Sequence, residues 1–175
     1  MIMRNLVLIG FMGSGKSTVG RLVANELEMH FVDVDQWIEK RERMSIANIF
    51  SQQGEVAFRE LETQAVRELA KQENLVIATG GGVVLRRVNV EVLGKTGILI
   101  YLSIDAKTAL ERTKKHSHRP LLRERKSEEQ MEALFRERQD LYQAIPHCVQ
   151  SAGRSVTEVV ADVIRIYRSN ESHKG

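Results

Sequence analysis

At 175 residues, 42% hydrophobic and 28% charged, the chain suits one compact domain with a real core and is neither disordered nor fibrous. No apolar run approaches the ~20 residues of a membrane span, and "MIMRNLVLIG" has too short an apolar stretch for a secretory signal, so a cytoplasmic protein is expected. Cys148, the single cysteine, excludes an intrachain disulfide, and the formal charge of +3 suits small anionic ligands as well as it permits nucleic acid.

The first predicted element is a strand at "NLVLI" (5–9), apolar on both faces as in a buried parallel sheet. A helix over 16–29 follows, with Val19, Leu22, Val23 and Leu27 on one stripe. "FVDV" (31–34) reads as the second strand, and 56–71 as a helix with Phe58, Leu61, Ala65 and Leu69 inward. "LVIAT" (75–79) and "ILIYL" (98–102) are the third and fourth strands. The stretch 114–126, "KKHSHRPLLRERK", is basic without clean periodicity and reads as a mobile loop. A helix over 128–144 uses Met131, Leu134, Phe135 and Leu141; "HCVQ" (147–150) is a weaker fifth strand; and a helix over 156–167 uses Val156, Val160, Val163 and Tyr167. Strands alternating with helices make the class α/β with right-handed crossovers. Without a linker or repeat, residues 1–175 form a single domain.

"GFMGSGKST" (10–18) fits G-x-x-x-x-G-K-[ST] at a strand-to-helix junction, the context that makes this phosphate-binding pattern credible. Bare backbone at Gly13 and Gly15 lets phosphates approach N–H groups, as Ser14 and Thr18 flank them, and the helix presents its positive end. Lys16 reaches the β/γ oxygens of ATP, and the Ser17 hydroxyl can ligate Mg²⁺. Asp33 and Asp35 stand at the end of the second strand, where alternation points them to one side. One can serve magnesium, directly or through water, while the other orients a substrate hydroxyl and takes its proton. Arg59 and Glu62, three apart on a helix, form either a surface ion pair or an arginine held to clamp an anion. Gly80, Gly81 and Gly82 exceed what a turn needs and read as the floor under a small substrate, with Gly81 or Gly82 offering an N–H. Arg119 in the basic loop can close over the γ-phosphate, and Arg136 and Arg138 sit on a helix; a solvated basic face is the alternative for all three.

These motifs resemble the shikimate kinases from Asn5 to about Arg168: "GFMGSGKS", Asp33 and Asp35, Arg59 and Glu62 before "LVIAT" and Gly80–Gly82, Arg119-Pro120-Leu121, and "RQDLY" from Arg138. The resemblance implies a P-loop NTPase fold, a three-layer α/β/α sandwich around a five-stranded parallel sheet of order 2-3-1-4-5. It implies a mobile lid at about 113–127 and substrate-binding helices at about 36–62. The implied activity is ATP-dependent phosphorylation of the 3-hydroxyl of shikimate, giving shikimate 3-phosphate and ADP in chorismate and aromatic amino acid biosynthesis. By the same resemblance Asp35 meets the shikimate hydroxyls, and Arg59, Arg138 and a glycine of the triplet, Gly81 or Gly82, hold shikimate. Arg119 meets ATP, Arg112 and Arg154 lie on the adenine side, and magnesium goes to Ser17 with Asp33 behind it. The expected partners are shikimate and ATP, with neither nucleic acid nor membrane, and a monomer is expected.

Three rival readings are weaker. A gluconate kinase is not expected to combine Arg59, Glu62 and the glycine triplet, and no separate insertion offers the base pocket of a nucleoside-monophosphate kinase. An RNA-binding protein using 114–126 lacks an aromatic residue there to stack on bases. His116 and His118 have no third ligand to make a metal site.

Overall fold

The computed structural model describes residues 4–114 and 128–171. The expected lid beyond Lys114, with Arg119, His116 and His118, lies outside the described residues. Among the described residues, five parallel strands form one sheet in the order β2-β3-β1-β4-β5. They are β1 (Asn5–Ile9), β2 (His30–Asp33), β3 (Leu75–Ala78), β4 (Gly97–Ser103) and β5 (His147–Gln150). Seven α-helices connect them: α1 (Lys16–Glu26), α2 (Val34–Glu42), α3 (Ile46–Leu69), α4 (Arg87–Thr96), α5 (Ala106–Lys114), α6 (Glu128–Gln143) and α7 (Val156–Glu171). A short 3₁₀ turn spans Val83–Leu85.

Alternation along β1 sorts the core into two layers. Leu6 and Leu8 face a cluster with Val19 and Val23 of α1 and Val160, Val163 and Tyr167 of α7. Val7 and Ile9 face the other side, with Ile38 of α2, Ile49, Phe58 and Ala65 of α3, Leu93 of α4 and Tyr142 of α6. The result is the expected three-layer α/β/α sandwich. Because β1 is central, the loop that leaves its carboxyl end opens at the middle of the sheet edge, where open α/β folds bind ligands.

Three stripe assignments need correction. On α1, Leu22 is 45% exposed, and Gly20 and Ala24 turn inward beside Val19 and Val23. The reason is a close approach: a Cβ at Gly20 would lie 2.6 Å from the Phe31 ring, so the helix can bring its glycine, and not a leucine, against β2. On α6, Leu141 is exposed and Tyr142 fully buried. On α7, Val156 is exposed and Val159 buried. The helix expected over 56–71 begins ten residues earlier, at Ile46, where Ser45 caps it by accepting the Asn48 N–H at 3.2 Å. Gly54 interrupts it with φ 83° and ψ 173°, a left-handed region in which glycine is favoured, so two helical segments meet at a kink.

The second strand is also shifted one residue towards the N-terminus from the expected 31–34. It stops at Asp33, and Val34 already belongs to α2. Asp35 is therefore a first-turn helix residue, and strand alternation does not set its direction. The cause is the Asp33 side chain, whose Oδ1 accepts the N–H groups of Asp35 at 3.1 Å and Gln36 at 3.3 Å. A capping aspartate offers the backbone an alternative to the sheet ladder.

Candidate active site

The phosphate-binding loop runs from Gly10 to Ser17 between β1 and α1. Gly13 and Gly15 both hold positive φ, 77° and 91°. Their glycines have different reasons. A Cβ at Gly13 would press on the backbone of Ala109, 3.1 Å from its carbonyl oxygen, whereas the space around Gly15 is open and its conformation alone requires glycine. Gly15 occupies the N-cap of α1 without a side-chain hydrogen bond, and the first turn carries no acidic residue. The N–H groups at this helix end thus meet no carboxylate of their own turn, which suits an incoming phosphate.

Lys16 is 4% exposed. Its ammonium donates to the carbonyls of Gly10 at 2.7 Å and Phe11 at 2.9 Å and reaches Ser14 Oγ at 3.4 Å. The charge is thereby held inside the loop's curve. Beside it, Ser17 Oγ donates to Asp33 Oδ2 at 2.7 Å. A hydroxyl and a carboxylate oxygen in contact at the phosphate end make an oxygen donor set that fits a hard divalent cation such as Mg²⁺. Asp33 thus caps α2 with one oxygen and meets Ser17 with the other.

A cleft of about 570 Å³ opens from this loop, lined by Gly13, Ser14, Gly15, Lys16, Ser17, Thr18, Arg112 and Arg154 among others. Both arginines expected on the adenine side therefore reach one cleft with the phosphate loop. Arg112 donates to Gly13 O at 3.2 Å and Ser151 O at 3.0 Å, tying the loop to the end of β5. Arg154 pairs with Asp162 of α7 at 2.7 Å, a partner eight residues away that no local sequence pattern indicated.

The acceptor-side residues gather on the other flank of the loop. Arg59 Nη1 donates to Glu62 Oε2 at 2.8 Å, with Glu55 adding a longer contact. This is not the surface pair of the alternative reading: the Glu62 side chain is 0% exposed and that of Arg59 12%. Burial pushes the Glu62 carboxyl above its ordinary range; Arg59 opposes that shift and the charge of Asp35 adds to it. Glu62 Oε1 is buried with no hydrogen-bond partner among the described residues, as is Arg138 Nε. Such atoms are expensive to leave unsatisfied, so a polar ligand arriving here would meet an acceptor and a donor ready for it.

The glycine triplet lies within this cluster. A Cβ at Gly80 would stand 3.0 Å from both Asp35 Oδ1 and Glu62 Oε1, and one at Gly81 would lie 3.5 Å from the Met12 nitrogen of the phosphate loop. At Gly82 it would stand 2.5 Å from Nη2 and 2.6 Å from Cζ of Arg59. The triplet is a floor for three side chains before any substrate arrives. Gly82→Ala is therefore expected to push the Arg59 guanidinium off its seat, which Glu62 keeps it from leaving cheaply. Misplacement of a substrate-holding group by an ångström costs on the order of 10²-fold in rate. Steady-state kinetics should show that loss in kcat/KM for the acceptor substrate, with ATP affinity by calorimetric titration unchanged.

Arg138 is half-buried on α6, whereas Arg136 is exposed and paired with Glu132, so of these two the solvated-face reading holds for Arg136. The sequence reading assigned no role to Tyr142, although "RQDLY" contains it. Its hydroxyl donates to Gly81 O at 2.5 Å, its ring stacks on Tyr101 with centroids 5.2 Å apart, and burial pushes its phenol up to about 12. It remains a protonated donor across the physiological range.

The regions expected to take ATP and the acceptor thus meet at the phosphate loop, where Gly81 lies against Met12 and Gly10. A family model described as shikimate kinase matches residues 12–168. The chain is 42% identical over 165 residues to the shikimate kinase of Thermodesulfovibrio yellowstonii, across 94% of this chain and 95% of that protein. It superposes on the structure of the shikimate kinase from Acinetobacter baumannii in complex with shikimate with a TM-score of 0.90 and 34% identity, over 97% of this chain and 95% of that one. A gluconokinase from Sinorhizobium meliloti, at 14% identity and a TM-score of 0.60 over 98% of this chain and 96% of that one, shares the fold alone. With Gly13 to Ser17 of the phosphate loop, the Arg59–Glu62 pair and the glycine triplet all inside the span matched by the family model, the chain belongs to the shikimate kinase family.

Proposed function

We propose that the protein transfers the γ-phosphoryl group of ATP to the 3-hydroxyl of shikimate, releasing ADP and shikimate 3-phosphate in the biosynthesis of chorismate and the aromatic amino acids. The observation that carries this reading is the junction at Gly81, where an ATP-type cleft and a cluster of one aspartate and two arginines meet across a single loop. A hydroxylated carboxylate needs that set: guanidinium forks for its carboxylate and a carboxylate for its hydroxyl.

On this reading the phosphates of ATP lie on the N–H groups of Gly13–Thr18, Lys16 meets the β/γ oxygens, and Arg112 and Arg154 flank the adenine. Arg59 and Arg138 grip the shikimate carboxylate, aided by an N–H of Gly81 or Gly82. Asp35 orients the 3-hydroxyl and accepts its proton as the new O–P bond forms; the bond from the γ-phosphorus to the β–γ bridging oxygen breaks, and ADP leaves. Arg119 is assigned to the γ-phosphoryl on the resemblance of "RPL" to the family's lid motif. Ser17 and Asp33 would hold Mg²⁺, which supplies charge neutralisation at the β/γ oxygens when bound. The chain needs to supply little beyond placement and charge, because phosphoryl transfer involves little covalent chemistry by the protein.

The protein is read as a cytoplasmic monomer; among the described residues no helix is long and apolar enough to cross a membrane. A coupled ADP-release assay over shikimate, quinate, gluconate, AMP and CMP tests the function. Shikimate should give by far the highest turnover, dependent on Mg²⁺, and gluconate or AMP outpacing it would overturn the reading. Arg59→Ala and Arg138→Ala are each expected to weaken shikimate binding by about 2–5 kcal/mol, the scale for unpairing a buried charge. Calorimetric titration checks this, and lysine at either position should recover little, since it loses the two-pronged fork.

A further inference from the structure

Tyr142 stands where the acceptor side, α6 and the phosphate loop come together. Its hydroxyl donates to the carbonyl of Gly81. Arg138 lies one helical turn earlier on α6, where residues four apart share a face. Gly81 in turn lies against Met12 and Gly10 of the phosphate loop. One phenol hydroxyl therefore ties the turn of α6 that carries Arg138 to a backbone segment 61 positions away.

The ring cannot swing out of this position. Tyr142 is fully buried, and Tyr101 of β4 stacks on it with the planes only 7° apart. Leu141, its neighbour, is exposed although it is the more hydrophobic residue. The helix has thus turned a polar-tipped aromatic into the core in place of a leucine, and a buried phenol is favoured there only when its hydroxyl is satisfied.

We propose that Tyr142 is a positioning residue for the acceptor substrate: it sets the distance between the Arg138 guanidinium and the Gly81–Gly82 backbone, so that both meet one bound molecule without rearrangement. This rests on the reading that Arg138 and the glycine triplet hold shikimate. Without the hydroxyl, Arg138 keeps its charge but loses its fixed placement relative to Gly81. The arginine then has to be ordered at the moment of binding, which weakens affinity for the acceptor without touching the nucleotide cleft.

The test is Tyr142→Phe, which keeps the ring and its stacking on Tyr101. The KM for shikimate is expected to rise about 5-fold, the scale for losing a hydrogen bond between neutral groups. The KM for ATP should stay within about twofold of wild type, and kcat should fall less than the shikimate KM rises. A purely structural role would instead lower thermal stability and affect both substrates alike, and that outcome overturns the proposal. So does a Tyr142→Phe enzyme whose shikimate KM matches an active wild type. A wild type inert towards shikimate overturns the functional reading and this one with it, a result the ADP-release assay separates from the other two. Should Tyr142→Phe fail to fold, exchange of the Tyr142 hydroxyl proton in the wild type carries the test. Shikimate is expected to slow that exchange several-fold, and an unchanged rate would refute the role.

Discussion

Asp35→Asn is expected to lower kcat for shikimate phosphorylation by about 10²–10⁴-fold, the range for removing a positioned general base. The structural ground is the place of Asp35 in the first turn of α2, its backbone N–H held by Asp33 Oδ1 and its carboxylate near the site a Gly80 side chain would fill. Asparagine preserves shape and one hydrogen-bond acceptor but cannot take the hydroxyl proton. ATP affinity should change little, since Asp35 does not line the nucleotide cleft. Burst-free steady-state kinetics with a direct measurement of ATP binding separates the two, and near-normal kcat in the folded variant would remove Asp35 from the chemistry. Part of the expected loss is positional, because Asp35 is also assigned to orient the hydroxyl; Asp35→Glu, which restores a carboxylate one methylene too long, should remain well below wild type.

Lys16→Ala is the second large effect. The ammonium sits at 2.7 Å and 2.9 Å from two loop carbonyls. Deleting it removes the one charge seated within the loop and leaves the carbonyls of Gly10 and Phe11 facing the phosphates. Turnover should fall by about 10²–10³-fold, the scale for losing one donor aimed at developing charge, and ATP binding should weaken as well. Lys16→Arg should rescue little, because a planar guanidinium does not fit the space between those carbonyls that a compact ammonium fills. Equilibrium binding of a nucleotide analogue together with single-turnover kinetics checks both halves. Unaltered ADP release in Lys16→Ala would sink the phosphate-loop reading.

The parts of this molecule that were legible in the sequence are those governed by local rules. All five strands announced themselves as short apolar runs, and their alternation with helical periods led to an α/β class before any contact was known. "GFMGSGKST" was readable because backbone approach to phosphate demands bare residues in a row, and a helix start demands nothing else. Asp33, Asp35, Arg59, Glu62, the glycine triplet and Arg138 were picked out one at a time by residue type and spacing, and the sheet order came from their likeness to a known family.

What tertiary structure decided is how those residues meet. Periodicity put Leu22, Leu141 and Val156 inside, but a helix face is chosen by the surface it meets: Phe31 demanded a glycine at position 20, and Gly81 and Tyr101 together made Tyr142 a better core residue than its leucine neighbour. Alternation set the direction of Asp35 at the end of a strand, but the capping bonds of Asp33 ended that strand one residue sooner and put Asp35 in a helix. Spacing alone allowed Arg59 and Glu62 to be an exposed pair of little consequence; burial made the glutamate inaccessible and its arginine fixed. The pairing of Arg154 with Asp162, and the hydrogen bond from Tyr142 to Gly81, join positions whose separation along the chain carries no periodic signal. Sequence determines which side chains are available and what local backbone they prefer. Which of them share a site, and which are desolvated there, depends on distances that exist only once the sheet has brought the carboxyl ends of β1, β2 and β3 together and α6 has packed beside them.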